Sequence, residues 1–303
     1  MRVKVHRVLL RADLPFLVDV NVYLVGAGRE WVLVDSGYGR EGMVDIVEKE
    51  VQRIAGSVAN LKGILVTHAH IDHFGGATVL KRKGCVRVMM HKVGAPMLED
   101  FRRLAEKYFG MREEEERKYV NVFLKEICGA SETRVDETLE DGSEVEVAGS
   151  VLRAVHTPGH SPCHVCFYDP DNRVLFSGDL IISERSTWIG YPSGDVGLYL
   201  DSVRRLSKLK IDVIYPAHGG VIDNPAEKIK EVIRHKEERL SEVYSLLKEK
   251  PRTIAEIAKI IYANVPWPRG RWLERAIKAY IVELEKRRRV RRVKEQPEVY
   301  EAI

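Results

Sequence analysis

Short apolar blocks separated by turn residues dominate the first 90 positions. Val3–Leu10, Val20–Val25 and Trp31–Val34 are β-branched and apolar, with Gly26 and Gly28 before the third, so each predicts a strand. Gly42–Ile54 carries its apolar residues at helical spacing. Gly63–Val66 is a short apolar strand running into the polar segment Thr67–His73. A helix over Ala77–Lys83 and a strand over Val86–Met90 follow. Residues 95–130 are heavily charged, with Leu98, Phe101, Leu104 and Tyr108 at helical intervals, which predicts a helical insertion. Strands resume at Glu144–Val147, Val151–Val155, Val165–Tyr168 and Arg173–Phe176, the last two joined by the turn residues Asp169-Pro170-Asp171-Asn172. Leu198–Leu209 reads as a helix and Asp212–Tyr215 as a strand. Strands mixed with helices in this way predict an α/β (α+β) domain.

The pattern changes near Pro225. Ala226–Lys250 is one long amphipathic helix. Thr253 and Glu256 fit a capping box opening a helix over Ile254–Tyr262. Pro266-Trp267-Pro268 interrupts the chain, and Trp272–Arg287 is a third helix. Val290–Val293 and Val299–Ile303 then form a short hairpin around Glu295-Gln296-Pro297-Glu298. Three helices followed by a hairpin suggest a winged helix, so the expected organisation is a domain over 1–225 and a small winged-helix-like domain over 226–303.

Charge sharpens this division. The formal net charge is +4, yet Arg269–Lys294 holds 11 Lys/Arg against three acids, which leaves the rest of the chain net acidic. Four cysteines, Cys85, Cys128, Cys163 and Cys166, are too few for a disulfide framework in 303 residues. Cys163 and Cys166 have a CxxC spacing, but Cys166 lies in an apolar strand, and a packing role is expected. With no signal-peptide pattern and no apolar run of membrane-spanning length, the expected location is cytoplasmic.

The chemistry concentrates in Thr67-His68-Ala69-His70-Ile71-Asp72-His73, where four potential ligands follow an apolar strand. Imidazole and carboxylate suit borderline metals such as Zn²⁺. Three later segments also put a ligand type in a turn after a strand: Thr157-Pro158-Gly159-His160, Ser177-Gly178-Asp179 and Pro216-Ala217-His218-Gly219. Five histidines and two aspartates can then converge, enough for two ions bridged by a carboxylate. His6, His91, His156, His164 and His235 are expected to be ordinary histidines.

These motifs, with Leu33-Val34-Asp35-Ser36-Gly37, resemble the metallo-β-lactamase superfamily over residues 33–219. The resemblance implies an αββα sandwich of two mixed sheets with the metals at one edge. It implies that His68, His70 and His160 hold one ion, that Asp72, His73 and His218 hold another, and that Asp179 bridges them. A water or hydroxide between two ions would be the nucleophile, with its pKa lowered toward neutrality. Asp72 would also accept a proton, and Asp35 would orient ligands. The cofactors expected are two metal ions, Zn²⁺ first, with Fe or Mn²⁺ as alternatives.

The tail bears on substrate. Arg287, Arg288, Arg289, Arg291 and Arg292 could contact phosphates, although a solvated, charge-rich surface explains them too. The long helix after Ala217-His218-Gly219 and the winged-helix-like end resemble the β-lactamase-like protein 2 branch, close to glyoxalase II. That branch implies single-stranded RNA as the first-choice substrate. A small ester or thioester is the alternative, and a nucleic-acid-binding protein with structural metals is a third reading. A homodimer is compatible with all three.

Overall fold

The structure, a computed structural model, describes all residues except 1, 2, 16, 85, 112, 113, 185 and 265–269. The Pro266-Trp267-Pro268 interruption, Cys85 and Arg269 therefore lie outside the described residues.

Strands β1 (Lys4–Leu10), β2 (Val20–Ala27), β3 (Glu30–Val34), β4 (Leu61–Val66), β5 (Arg87–His91) and β6 (Glu137–Leu139) form one sheet in that order. β1–β3 pair antiparallel and β3–β6 pair parallel. The second sheet runs β11-β10-β9-β8-β7, from β7 (Glu144–Val147), β8 (Ser150–His156), β9 (Val165–Asp169), β10 (Val174–Gly178) and β11 (Val213–Pro216). Only β10 and β11 are parallel there.

Apolar strands stack into layers because successive side chains point to opposite faces. Along β2 and β3, Val20, Val22, Leu24, Trp31 and Leu33 join one core, whereas Tyr23, Val25, Val32 and Val34 join another. The second set meets Val165, Phe167 and Phe176, so this core lies between the sheets. The first set packs on α1 (Glu41–Ala55) through Met43, Val44, Val47 and Val51. The short α2 (Ile71–Phe74) and α3 (Ala77–Gly84) follow β4, and α3 places Leu80 in the same core. The expected αββα sandwich is thus the observed one.

Residues 95–130 are helical, as α4 (Ala95–Glu99), α5 (Phe101–Phe109), α6 (Glu114–Asn121) and a π-helical turn at Val122–Ile127. Leu98, Phe101, Leu104 and Tyr108 are buried in the outer core of the first sheet, so their helical spacing marks a packed face.

The C-terminal part contains α8 (Pro225–Glu249), the short strand β12 (Arg252–Thr253), α9 (Ile254–Ile261), α10 (Gly270–Lys286), β13 (Val290–Glu295) and β14 (Glu298–Ala302). Thr253 and Glu256 make the expected capping box. The three strands form one small sheet, ordered β12-β14-β13. Its helices do not stand apart from the sandwich. One continuous core joins Cys166, Tyr168 and Leu175 of the second sheet to Tyr199, Leu200 and Val203 of α7 (Val196–Leu206). The same core continues through Val232, Val243, Ile277, Ile281 and Tyr300. The sequence change near residue 225 marks the start of α8, and packing runs across it.

Candidate metal centre

The seven ligand-type side chains gather where β4, β8, β10 and β11 end. They form two groups, His68–His70–His160–Asp179 and Asp72–His73–His218, each with ligand atoms close enough for one ion. His68 Nε2, His70 Nδ1 and His160 Nε2 approach one another to 2.9–3.1 Å. Ligands 2.0–2.1 Å from a tetrahedral ion would stand roughly 3.3 Å apart. Asp179 Oδ2 lies 3.5 Å from His160 Nε2 and 4.0 Å from His68 Nε2. Its other oxygen, Oδ1, lies 3.1 Å from His218 Nε2 and 3.4 Å from His73 Nε2. One carboxylate therefore presents an oxygen to each group. Asp72 Oδ2 completes the second group, 3.4 Å from His218 Nε2 and 3.6 Å from His73 Nε2.

Four of the five imidazoles are turned inward by a bond on the far side. His73 Nδ1–H donates to Asp35 Oδ2 at 2.7 Å, His160 Nδ1–H to the Trp188 carbonyl at 2.7 Å, and His218 Nδ1–H to the Asp19 carbonyl at 2.6 Å. Thr67 donates its backbone N–H and its hydroxyl to the two oxygens of Asp35, at 2.8 and 2.9 Å. With that hydroxyl hydrogen committed, His68 Nδ1–H donates to Thr67 Oγ1 at 3.0 Å, which leaves the Nε2 lone pair facing the centre. Asp35 is buried and left-handed, with φ 60°, a conformation maintained here by the bonds around it.

The residues fit metal ions by a direct test. Buried polar atoms are nearly always hydrogen-bonded, yet His73 Nε2 and Asp179 Oδ1 are buried without a partner. Both are inward-facing ligand atoms. The charge pattern agrees. Burial and the neighbouring imidazoles push His68 well below its usual pKa, and burial with His160 brings His70 to about 3. Burial disfavours the charged forms of His73 and Asp72, but their neighbours outweigh it. Asp72, Asp179 and Asp35 raise His73 to about 9, while His73 and His218 lower Asp72 to about 2. The surroundings thus favour neutral imidazoles at His68 and His70 and charged ones at His73 and His218, beside Asp72 and Asp179.

His164 has a role that its sequence position does not announce. Its Nε2 accepts the Asp179 backbone N–H at 3.1 Å, and its Nδ1–H donates to Thr157 Oγ1 at 2.9 Å. A β-carbon at Gly178 would come within 2.7 Å of that Nε2, so glycine lets the bridging turn sit against the imidazole. His164 follows His160 by four residues and ends the same turn, a signal too weak to separate it from a packed histidine. Cys163 and Cys166 are buried thiols: Cys163 Sγ sits 3.3 Å from Tyr108 Oη, and Cys166 Sγ 3.4 Å from Thr157 Oγ1.

Beside the first group stands an aromatic wall. The Tyr108 ring lies 4.9 Å from that of His70. Trp188, whose carbonyl holds His160, packs on Trp272 of α10 at 5.0 Å, and Trp272 meets Phe109 at 5.9 Å. Arg275 stacks over Phe109 and Trp272 and donates to the Tyr191 carbonyl at 2.7 Å. The insertion and the C-terminal helix therefore meet next to Trp188, whose carbonyl holds His160.

The tail arginines have internal partners. Arg287 pairs with Glu283 and Glu237, Arg291 with Glu301, and Arg292 with Glu295 and Glu298. Arg289 stacks 4.3 Å over Tyr244. Arg288 is exposed at the left-handed turn into the hairpin. No helix among the described residues is long and apolar enough to cross a membrane.

Comparison with known proteins agrees with this geometry. Lactamase-like protein aptB of Emericella nidulans is 31% identical over 77% of this chain, which spans 62% of that protein's length. A β-lactamase-like protein 2 homolog of Caenorhabditis elegans is 30% identical over 87% of this chain and 78% of its own. An atrochrysone carboxyl ACP thioesterase of Aspergillus fumigatus is 27% identical over 82% of this chain and 70% of its own. Among solved structures, a metallo-β-lactamase family protein of Thermus thermophilus superposes with a TM-score of 0.79 at 25% identity, over 99% of this chain and 98% of that one. A structure solved in a di-iron-bound form is 28% identical, covers 73% of this chain and 96% of its own, and has a TM-score of 0.53. The family model of the metallo-β-lactamase superfamily matches residues 16–218, which include every ligand-type residue of the centre, and the chain belongs to that superfamily of hydrolases.

Proposed function

We propose that the protein is a dinuclear metal hydrolase acting on an acyl thioester. His68, His70 and His160 would hold one ion, Asp72, His73 and His218 the other, with Asp179 shared between them. The observation that carries the dinuclear reading is Asp179, whose two oxygens face the two groups separately. Such a pair, when bound, supplies a polarising charge for a carbonyl and a water of lowered pKa. The chain's own contribution is orientation: Asp35, Thr67, the Asp19 carbonyl and the Trp188 carbonyl aim the imidazoles, and His164 seats the bridging turn. Asp72, beside His73 and His218, is the proton acceptor.

Two observations favour a thioester. The Tyr108 ring lies against His70, and the neighbouring Phe109, Trp188 and Trp272 form an aromatic cluster, which suits an acyl group better than a polyanion. Four of the five tail arginines have partners inside the fold, which weakens the case for a phosphate-binding tail. A thioesterase among the relatives supports the same class. Single-stranded RNA is the second reading, carried by the exposed Arg288 and by resemblance to the β-lactamase-like protein 2 branch. We propose further that residues 226–303 are a winged-helix-like unit fused to the catalytic fold through their shared core.

The test is thiol release from an acyl-coenzyme A and from an acyl-N-acetylcysteamine by the zinc-loaded protein, with labelled single-stranded RNA in parallel. The expected result is thiol release that stops on chelation and is lost in the His70→Ala/Asp72→Ala variant. Metal-dependent RNA cleavage without thiol release would overturn the thioester reading in favour of RNA.

A further inference from the structure

We infer that Lys228 and Lys236 of α8 are positioning residues for the metal centre, acting through the segment that joins Asp179 to Trp188. The inference rests on the reading that these ligand residues hold metal ions.

That segment touches both ligand groups. Asp179 begins it, and the Trp188 carbonyl at its end accepts from His160. Midway, Ser183 N–H donates to the His218 carbonyl at 3.3 Å, and Ser183 Oγ accepts from Gly220 N–H at 2.8 Å. The described residues between β10 and α7 include no helix or strand, so no regular ladder fixes this backbone. One internal tie is Thr187 Oγ1, which donates to the Asp179 carbonyl at 2.7 Å.

The outer ties come from α8. Lys236 Nζ donates to the Thr187 carbonyl at 2.6 Å, and Lys228 Nζ donates to the Ser183 carbonyl at 2.8 Å. Lys236 is only 2% exposed and Lys228 9%. The Lys236 ammonium also lies 5.3 Å over the ring of Tyr199, whose hydroxyl donates to the Leu180 carbonyl at 2.5 Å. A lysine buried this deeply is unfavourable by itself. Burial, with Arg239 nearby, brings its pKa down to about 7. An apolar side chain would fill the space without that penalty but would leave the Thr187 carbonyl without its donor. The amine donates in either protonation state, so the tie persists when the charge is lost. Neither lysine touches a ligand side chain; each holds backbone that carries or braces ligands.

The experiment uses the full chain with Lys236→Met, Lys228→Met and Lys236→Arg. Three quantities are read: amide hydrogen exchange of residues 180–188 in metal-free protein, zinc affinity by competition with a chromophoric chelator, and the thermal midpoint. The expected result for Lys236→Met is faster exchange confined to that segment and zinc affinity weakened by about 10–100-fold. The midpoint should not fall, and Lys236→Arg should recover part of the affinity. Unchanged exchange and unchanged affinity in both Met variants would overturn the inference, as would an affinity loss that merely follows a lower midpoint. If Lys236→Met does not fold, Lys228→Met carries the same readouts. A wild-type chain that takes up no zinc overturns the metal reading, while exchange in metal-free protein still decides whether the lysines hold the segment.

Discussion

The metal centre and the basic tail are both dense in functional side chains, and the fold treats them in opposite ways. In the centre, four of the five imidazoles are bonded on their outer side and direct a nitrogen at their neighbours, and two buried ligand atoms have no hydrogen bond. In the tail, Arg287, Arg291 and Arg292 meet carboxylates and Arg289 meets an aromatic ring. Unsatisfied groups held rigidly mark a place that awaits something, whereas satisfied ones describe a surface already complete. Residue type alone does not distinguish these cases, because the partners are remote in sequence.

The contrast can be broken or sharpened by experiment. The largest effect is expected from His70→Ala/Asp72→Ala, which takes one ligand from each group. Metal-dependent hydrolysis should fall by about a thousandfold or more, since the lowered-pKa water is lost with the ions. Elemental analysis should show the metal content falling with it. Truncation after Lys250 comes next. It removes Ile277, Ile281 and Tyr300 from the core shared with α7, so cooperative thermal unfolding should disappear instead of substrate binding alone weakening.

A smaller effect is expected from Asp35→Asn. Asparagine tolerates the left-handed backbone, so the fold should persist, while metal affinity falls by about 10–100-fold because His73 and Thr67 lose their shared acceptor. Titration offers a fourth test. Lys236 has its pKa lowered from 10.5 to about 7 on folding, so between those values the unfolded chain binds more protons. Wild-type stability should therefore gain with rising pH across that window, relative to Lys236→Met, in denaturant midpoints measured from pH 7 to 10. The smallest effect belongs to the tail. Changing Arg287, Arg291 and Arg292 together to Gln should move the thermal midpoint by only a few degrees and leave thiol release nearly unchanged. A collapse of activity there would restore the phosphate-binding tail.

Much of the centre was legible because the ligand types crowd together: four of them fall within Thr67–His73, and the other turns each follow a strand readable from apolar runs. The sandwich was legible for the same reason, since strands buried on both faces read as continuous apolar blocks such as Val20–Val25. What stayed hidden depends on contacts between distant segments. His164 looks like any packed histidine until Asp179 is placed against its ring. Lys228 and Lys236 look like solvated members of a charged helix. Even the division near Pro225 is a change of periodicity along the chain, and periodicity says nothing about whether the next helix packs on its own hairpin or on Leu200 and Val203.

The continuous core across residue 225 also orders events during synthesis. All seven ligand-type residues precede α8, so they are synthesised before the helix that braces the Asp179–Trp188 segment and before α10 and the hairpin that bury the outer face of the second sheet. A nascent chain thus carries all its ligands while the scaffold that aligns them is still being made. Stable alignment of the ligand-type residues therefore comes only once α8, α10 and the hairpin have packed onto the second sheet.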